Sequence, residues 1–171
     1  MVEPRAFIAI EHTELLQLIS YNPETGVLRW RVRVNSNTPA GSIAGTPNKG
    51  YVQISVKGRT YRAHRLAVFY MTGEWPVGQV DHEDRDRMNN RWLNLRPANS
   101  QQNAANTGPR STNKLGVKGV CYIGPRDRYL PQITVNGEHK SLGYCKTLEE
   151  AAARYDAAHK AAFGEFSHAA A

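Results

Sequence analysis

Apolar and polar residues alternate along "GVLRWRVRV". Leu28, Trp30, Val32 and Val34 fall on one side and Arg29, Arg31 and Arg33 on the other, which predicts a half-buried strand with a basic outer face. "YVQISVKGRTYRAH" predicts a hairpin that turns at Lys57-Gly58, and "HRLAVFYMTG" has the apolar density of a short helix stopped by Gly73. Pro39, Gly41, Gly45 and Pro47 mark a loop between these strands. The composition changes at "NTGPRSTNKLG", residues 106–116, where turn residues cluster without an apolar period, so 108–115 is expected to be a linker. Three strand-like pieces follow, "GVKGVCYIG", "YLPQITVNG" and "HKSLGYC", with Asn136-Gly137 as a hairpin turn. The last element reads as a helix. Thr147 and Glu150 suggest a capping box, Leu148, Ala152, Tyr155 and Ala162 an apolar stripe, and Gly164 a C-terminal cap.

The length of 171 residues and a hydrophobic content of 40% allow one ordinary domain or two small ones with a modest core. Lysines and arginines number 22 against 15 acids, and the net charge of +7 favours a polyanionic partner such as nucleic acid. No run of about 18 apolar residues is present, and "MVEPRAFIAIEHTELL" lacks a basic leader region and a small-residue cleavage site. The expectation is a cytoplasmic protein with no membrane contact. Cys121 and Cys145 form no CxxC pair and read as reduced, packed side chains.

Against this basic background, "VDHEDRDRMNNRWLNL" gathers Asp81, Glu83, Asp84 and Asp86 beside His82. Asn89, Asn90 and Asn94 come next, and "NSQQNAAN" reads as a short helix carrying Asn99, Asn103 and Asn106. Carboxylate and amide oxygens suit a hard divalent cation, and a neutral imidazole beside one can deprotonate water. These are the parts of a metal-assisted phosphodiester hydrolase. The plainer reading is turn chemistry, because Asp and Asn bond their own backbone and tolerate left-handed conformations.

The order of the whole segment, "AHRLAVFYMTGEWPVGQVDHEDRDRMNNRWLNLRPANSQQNAAN", resembles the HNH endonucleases of phages and introns. The resemblance runs from about Leu15 to Asn106, and its most specific elements are "VDH", the "NN" four residues ahead of "NL", and the Asn-rich helix. It implies an α+β fold, with a ββα-metal (His-Me finger) core at about 76–107 inside a domain spanning 1–107. It also implies one divalent cation, magnesium or manganese, per active site. By position, His82 would be the general base, Asp81 and Asn103 the metal ligands, and Asn94 the residue that holds the loop and orients His82. Asn106 competes with Asn103 for the helix ligand. Arg29, Arg31, Arg33, Arg85, Arg87 and Arg91 are candidate phosphate contacts. His64 reads equally as a phosphate contact or a structural histidine, and Trp30, Trp75 and Trp92 read as core aromatics.

Residues 116–166 resemble the plant ethylene-response-factor (APETALA-type) DNA-binding domain, most closely in "LGYCKTLEEAAARYDAAHKAAFG". The resemblance implies a second domain at 116–171, a three-stranded antiparallel sheet followed by one helix, with the sheet in the DNA major groove. Lys118, Arg126, Arg128, Gln132, Thr134 and Lys140 lie on the segments that would face DNA. Together the two resemblances imply a phage- or mobile-element-encoded nuclease that cuts double-stranded DNA in the host cytoplasm, and a monomer is expected. A fragment ending near Asn106 is then expected to keep residual, poorly targeted activity. The alternative is a DNA-binding regulator without catalysis.

Overall fold

The structure is a computed structural model that describes residues 10–167. The leader reading concerns in part residues 1–9, which lie outside the described residues. By internal contacts the chain divides into two compact units between Pro97 and Ala98. Among the described residues no helix is long and apolar enough to cross a membrane.

In the first unit, α1 (His12–Leu18) runs directly into β1 (Ile19–Tyr21), which pairs antiparallel with β2 (Leu28–Trp30). Asn22 makes the turn between them, its side-chain oxygen accepting from the amides of Glu24 and Thr25 at 2.9 Å each. β2 is shorter than the alternation predicted. Its register pairs Trp30 with Ile19, the first residue of β1, and the last bond runs from the Arg31 amide to the Leu18 carbonyl in the helix. The partner strand ends there, so Val32 and Val34 emerge 39% and 46% exposed instead of continuing the buried face.

β3 (Thr46–Asn48), β4 (Tyr51–Val56) and β5 (Arg59–Arg62) form an antiparallel sheet in that order. β3 therefore occupies part of the segment expected to be loop. Lys57 and Gly58 both take positive φ, +50° and +76°, as a two-residue hairpin turn demands. α2 (Ala63–Thr72) follows at once and stops at Gly73, whose left-handed backbone returns its amide to the Phe69 carbonyl. It buries Ala63, His64, Leu66, Ala67 and Phe69 against Leu15, Ile19, Trp30 and Ile54. Trp75 stacks on Phe69 with ring centres 4.2 Å apart, and Trp92 is half-buried. β6 (Gln79–His82) and β7 (Leu95–Ala98) then pair as a two-stranded sheet, which brackets the acidic segment.

The second unit opens with α3 (Ser100–Ala105), capped at its start by Asn99 and Gln102 in a reciprocal box. β8 (Val120–Ile123), β9 (Arg128–Val135) and β10 (Glu138–Ser141) form an antiparallel sheet with β9 central, and α4 (Leu148–Phe163) packs on it. Asn136 and Gly137 turn the β9–β10 hairpin with φ of +53° and +83°. The buried stripe of α4 is Ala151, Tyr155 and His159; Ala162, expected in it, is exposed. The Thr147 hydroxyl accepts from the Glu150 amide at 3.1 Å, but the Glu150 carboxylate accepts from Lys146, one residue before the cap. The box predicted at this helix is therefore only half made. Both cysteines are free thiols, and of the two only Cys145 is buried, so the expectation of packed side chains does not hold for exposed Cys121.

Candidate active site

Much of the acidic segment organises its own turn. Asp84 accepts from the Asp86 amide at 2.8 Å, from the Asn94 side chain at 2.9 Å and from the Asn89 side chain at 2.6 Å. Burial alone would raise its pKa, but these hydrogen bonds together hold the carboxyl below the usual range. Asn94 ties the two ends of the loop. Its oxygen accepts from the Asp84 amide at 3.0 Å and its nitrogen donates to the Asn89 carbonyl at 2.7 Å, while the Glu83 amide bonds the Asn94 carbonyl at 2.9 Å. Asp84 was grouped with the cation-binding acids from sequence; here it is the hub that shapes the loop.

His82 ends β6 and is 4% exposed. Its Nε2 lies 3.3 Å from the Asn90 side-chain oxygen. The Asn90 nitrogen donates to the Met88 carbonyl at 3.0 Å, which fixes the amide so that its oxygen faces the imidazole and accepts. Nε2 therefore carries the proton and Nδ1 is the basic nitrogen. Burial pushes the His82 pKa down, against the Asn90 bond and the charges of Asp84, Asp81 and Asp86. The imidazole is neutral at physiological pH, as a general base must be.

His64, at the start of α2, is also buried and meets His82 edge to face with ring centres 4.9 Å apart. Burial, followed by His82, Arg62 and Arg65, pushes its pKa down to about 3. Tyr51 lies 5.4 Å from the His64 ring and 6.3 Å from the His82 ring, with the Arg62 and Arg87 guanidinium carbons 4.1 and 5.0 Å from its centre. Asn90, Tyr51 and Arg62 were not assigned roles from sequence. The available signals were the "NN" of the motif for Asn90 and, for Tyr51 and Arg62, the ends of the "YVQISVKGRTYRAH" hairpin.

Asp81, 5% exposed, directs one carboxylate oxygen to Arg96 Nε at 3.0 Å. Among the described residues no three His, Cys, Asp or Glu side chains gather closely enough to cage a metal. A buried carboxylate is the start of an oxygen donor set of the kind a hard divalent cation takes. Asn103, the amide expected to complete it, is on α3, which belongs by contacts to the second unit.

The expected DNA contacts sort unevenly. Arg29 donates to the Gly41 carbonyl and Arg31 to the Ile19 carbonyl, and both are exposed, as are Arg33, Arg85 and Arg91. In the second unit Pro131 and Ile133 are buried toward α4, so alternation puts Arg128, Gln132 and Thr134 on the opposite, outward face. Lys140 pairs with Ile133 and falls on the other side. His139, paired with Thr134 and bonded to its hydroxyl at 3.1 Å, takes the outward position that sequence had given to Lys140. Arg126 lies over the Tyr144 ring at 4.7 Å, and Lys118 bonds backbone carbonyls in the last turn of α3 and just beyond it.

Residues 61–105, from β5 through α3, match the model of the HNH endonuclease family. A protein of Acanthamoeba polyphaga mimivirus, named as an uncharacterized HNH endonuclease, is 35% identical over 88 residues, covering 52% of this chain and 44% of the viral protein. The chain thus spans less than half the length of that curated relative. No solved structure matches significantly. The β6–β7–α3 order of strand, strand and helix agrees with the ββα-metal arrangement of this class.

Proposed function

We propose that the protein is a metal-dependent HNH endonuclease that hydrolyses phosphodiester bonds in double-stranded DNA and comes from a phage or other mobile element. The observation that carries this reading is His82, a buried neutral imidazole whose tautomer is set by a fixed amide, within the segment that matches the family. Asp81 and Asn103 would hold the cation. When bound, a divalent cation neutralises phosphate charge and stabilises the leaving oxygen.

His82 Nδ1 takes a proton from water, and the hydroxide oxygen forms the new bond to phosphorus while the P–O bond to the leaving sugar oxygen breaks. Asn90 holds the Nε2 proton, and Asp81, Asp84 and Asp86 favour the imidazolium that forms. Arg85, Arg87 and Arg91 offer positive charge beside the site for the phosphate backbone. In the second unit, Arg128, Gln132 and Thr134 present the face that would meet DNA, in keeping with the resemblance to plant DNA-binding domains.

Supercoiled plasmid incubated with the full chain should be nicked or linearised with magnesium or manganese and remain intact in chelator. DNA binding without cleavage at any metal concentration would instead establish the non-catalytic regulator.

A further inference from the structure

α3 is only six residues long, below the length at which a helix is stable alone, yet it presents Asn103. Its start is capped by its own Asn99 and Gln102. Its end is served from elsewhere. The Lys118 ammonium donates to the carbonyls of Ala104 at 2.9 Å, Ala105 at 2.7 Å and Thr107 at 2.7 Å. Three protons meet three acceptors there, and a cation opposes the negative end of the helix.

The base of this lysine is pinned as well. Gly119 has φ +72°, and a Cβ there would fall 1.9 Å from the Tyr155 ring of α4. The Gly119 carbonyl accepts from the Gln132 amide in β9 at 2.7 Å. On the apolar side, Ala105 packs with Ala98, Phe163 and Phe166. The closing turn of α3 is thus fastened to the sheet and helix of the second unit.

We infer that Lys118 is a positioning residue for Asn103: by fastening the last turn of α3 it fixes the amide that the nuclease reading makes a metal ligand, so the metal requirement depends on a residue beyond the family match. This rests on the nuclease reading above, and it reverses the expectation that a fragment ending near Asn106 keeps its activity.

The test uses the full chain with Lys118→Met and Lys118→Arg. In metal-free protein, amide hydrogen exchange of residues 104–107 should quicken by at least about tenfold in Lys118→Met, with β9 protection unchanged. The magnesium concentration for half-maximal cleavage should rise by about tenfold, while affinity for duplex DNA in chelator stays at the wild-type value. Lys118→Arg, which keeps charge and donors, should recover most of both properties.

Unaltered exchange at 104–107 in Lys118→Met overturns the inference. So does an unaltered magnesium requirement combined with a salt dependence of DNA binding flattened by about 0.9 in log-log slope, since Lys118 would then be a phosphate contact. A wild-type chain that cuts nothing overturns the nuclease reading instead, and the exchange measurement still decides whether Lys118 fastens α3.

Discussion

Each unit buries a histidine, His82 in the first and His159 in the second, and burial lowers the pKa of both. Their neighbours differ in sign. Around His82 the charges of Asp84, Asp81 and Asp86 favour the protonated ring, and a fixed amide chooses its tautomer. Around His159, Lys118 adds to burial and takes the pKa down to about 4, while the ring sits between Tyr155 and Phe163 and bonds the Ser167 hydroxyl. Burial makes an imidazole neutral; only the surrounding charge decides whether taking a proton is helped or resisted. On the nuclease reading proposed above His82 serves as a base, whereas His159 is packed between two aromatic rings.

The largest effect that separates them is on cleavage. His82→Ala should lower the rate by on the order of a hundredfold or more with DNA affinity retained, whereas His159→Ala should keep the rate constant and lower the melting temperature. Comparable losses of rate in both variants would erase the distinction.

Asn90→Ala comes next. It removes the acceptor that fixes Nε2–H, so cleavage should fall by about tenfold, the effect of losing a partner that orients a functional imidazole. Wild-type turnover in this variant would mean that the tautomer is fixed by another group.

A smaller effect concerns pH. The folded-state pKa values of His64 and His159, about 3 and about 4, lie below the ordinary 6.5, so the unfolded chain binds these protons first. Their effect on stability is nil above about pH 6.5 and grows as pH falls, down to about 3 for His64 and about 4 for His159. For His64 the slope reaches at most about 1.4 kcal/mol per pH unit. Urea midpoints at pH 7, 5.5 and 4.5 should decline in that order, and His64→Phe should flatten the decline if the ring is tolerated. Smallest of all, Arg154→Ala removes an exposed pair with Glu150 and should change stability by about 0.2–1 kcal/mol, measured in the same urea titrations.

The legible parts of the sequence were those governed by neighbours along the chain. Lys57-Gly58 and Asn136-Gly137 demand positive φ locally, and Gly73 ends α2 for the same reason. Alternation failed at Val32 and Val34 because β1 starts beside a helix and offers no further partner, a fact about another segment. Lys140 was misplaced because its face depends on the register with β9. "VDH" and "NN" drew attention to His82 and Asn90, but the contact of His82 with His64, and the amide orientation that selects a tautomer, arise only in three dimensions. Lys118 read as a surface cation because its acceptors are backbone carbonyls, which every residue has.

The turn between β1 and β2 bears on where this protein can be cut. The Tyr21 hydroxyl donates to the Asn90 carbonyl at 2.7 Å, the Trp92 amide bonds the Pro23 carbonyl at 2.9 Å, and a side chain at Gly26 would strike the Asn90 and Arg91 backbone at 2.5 Å. The family match begins at residue 61, so a fragment trimmed to it would carry the histidine, the acids and the amides yet lose the surface against which their loop is pressed. The same contact makes "NPETG" a poor place for an insertion although its residues are mostly exposed, since lengthening it would move the residues that hold His82.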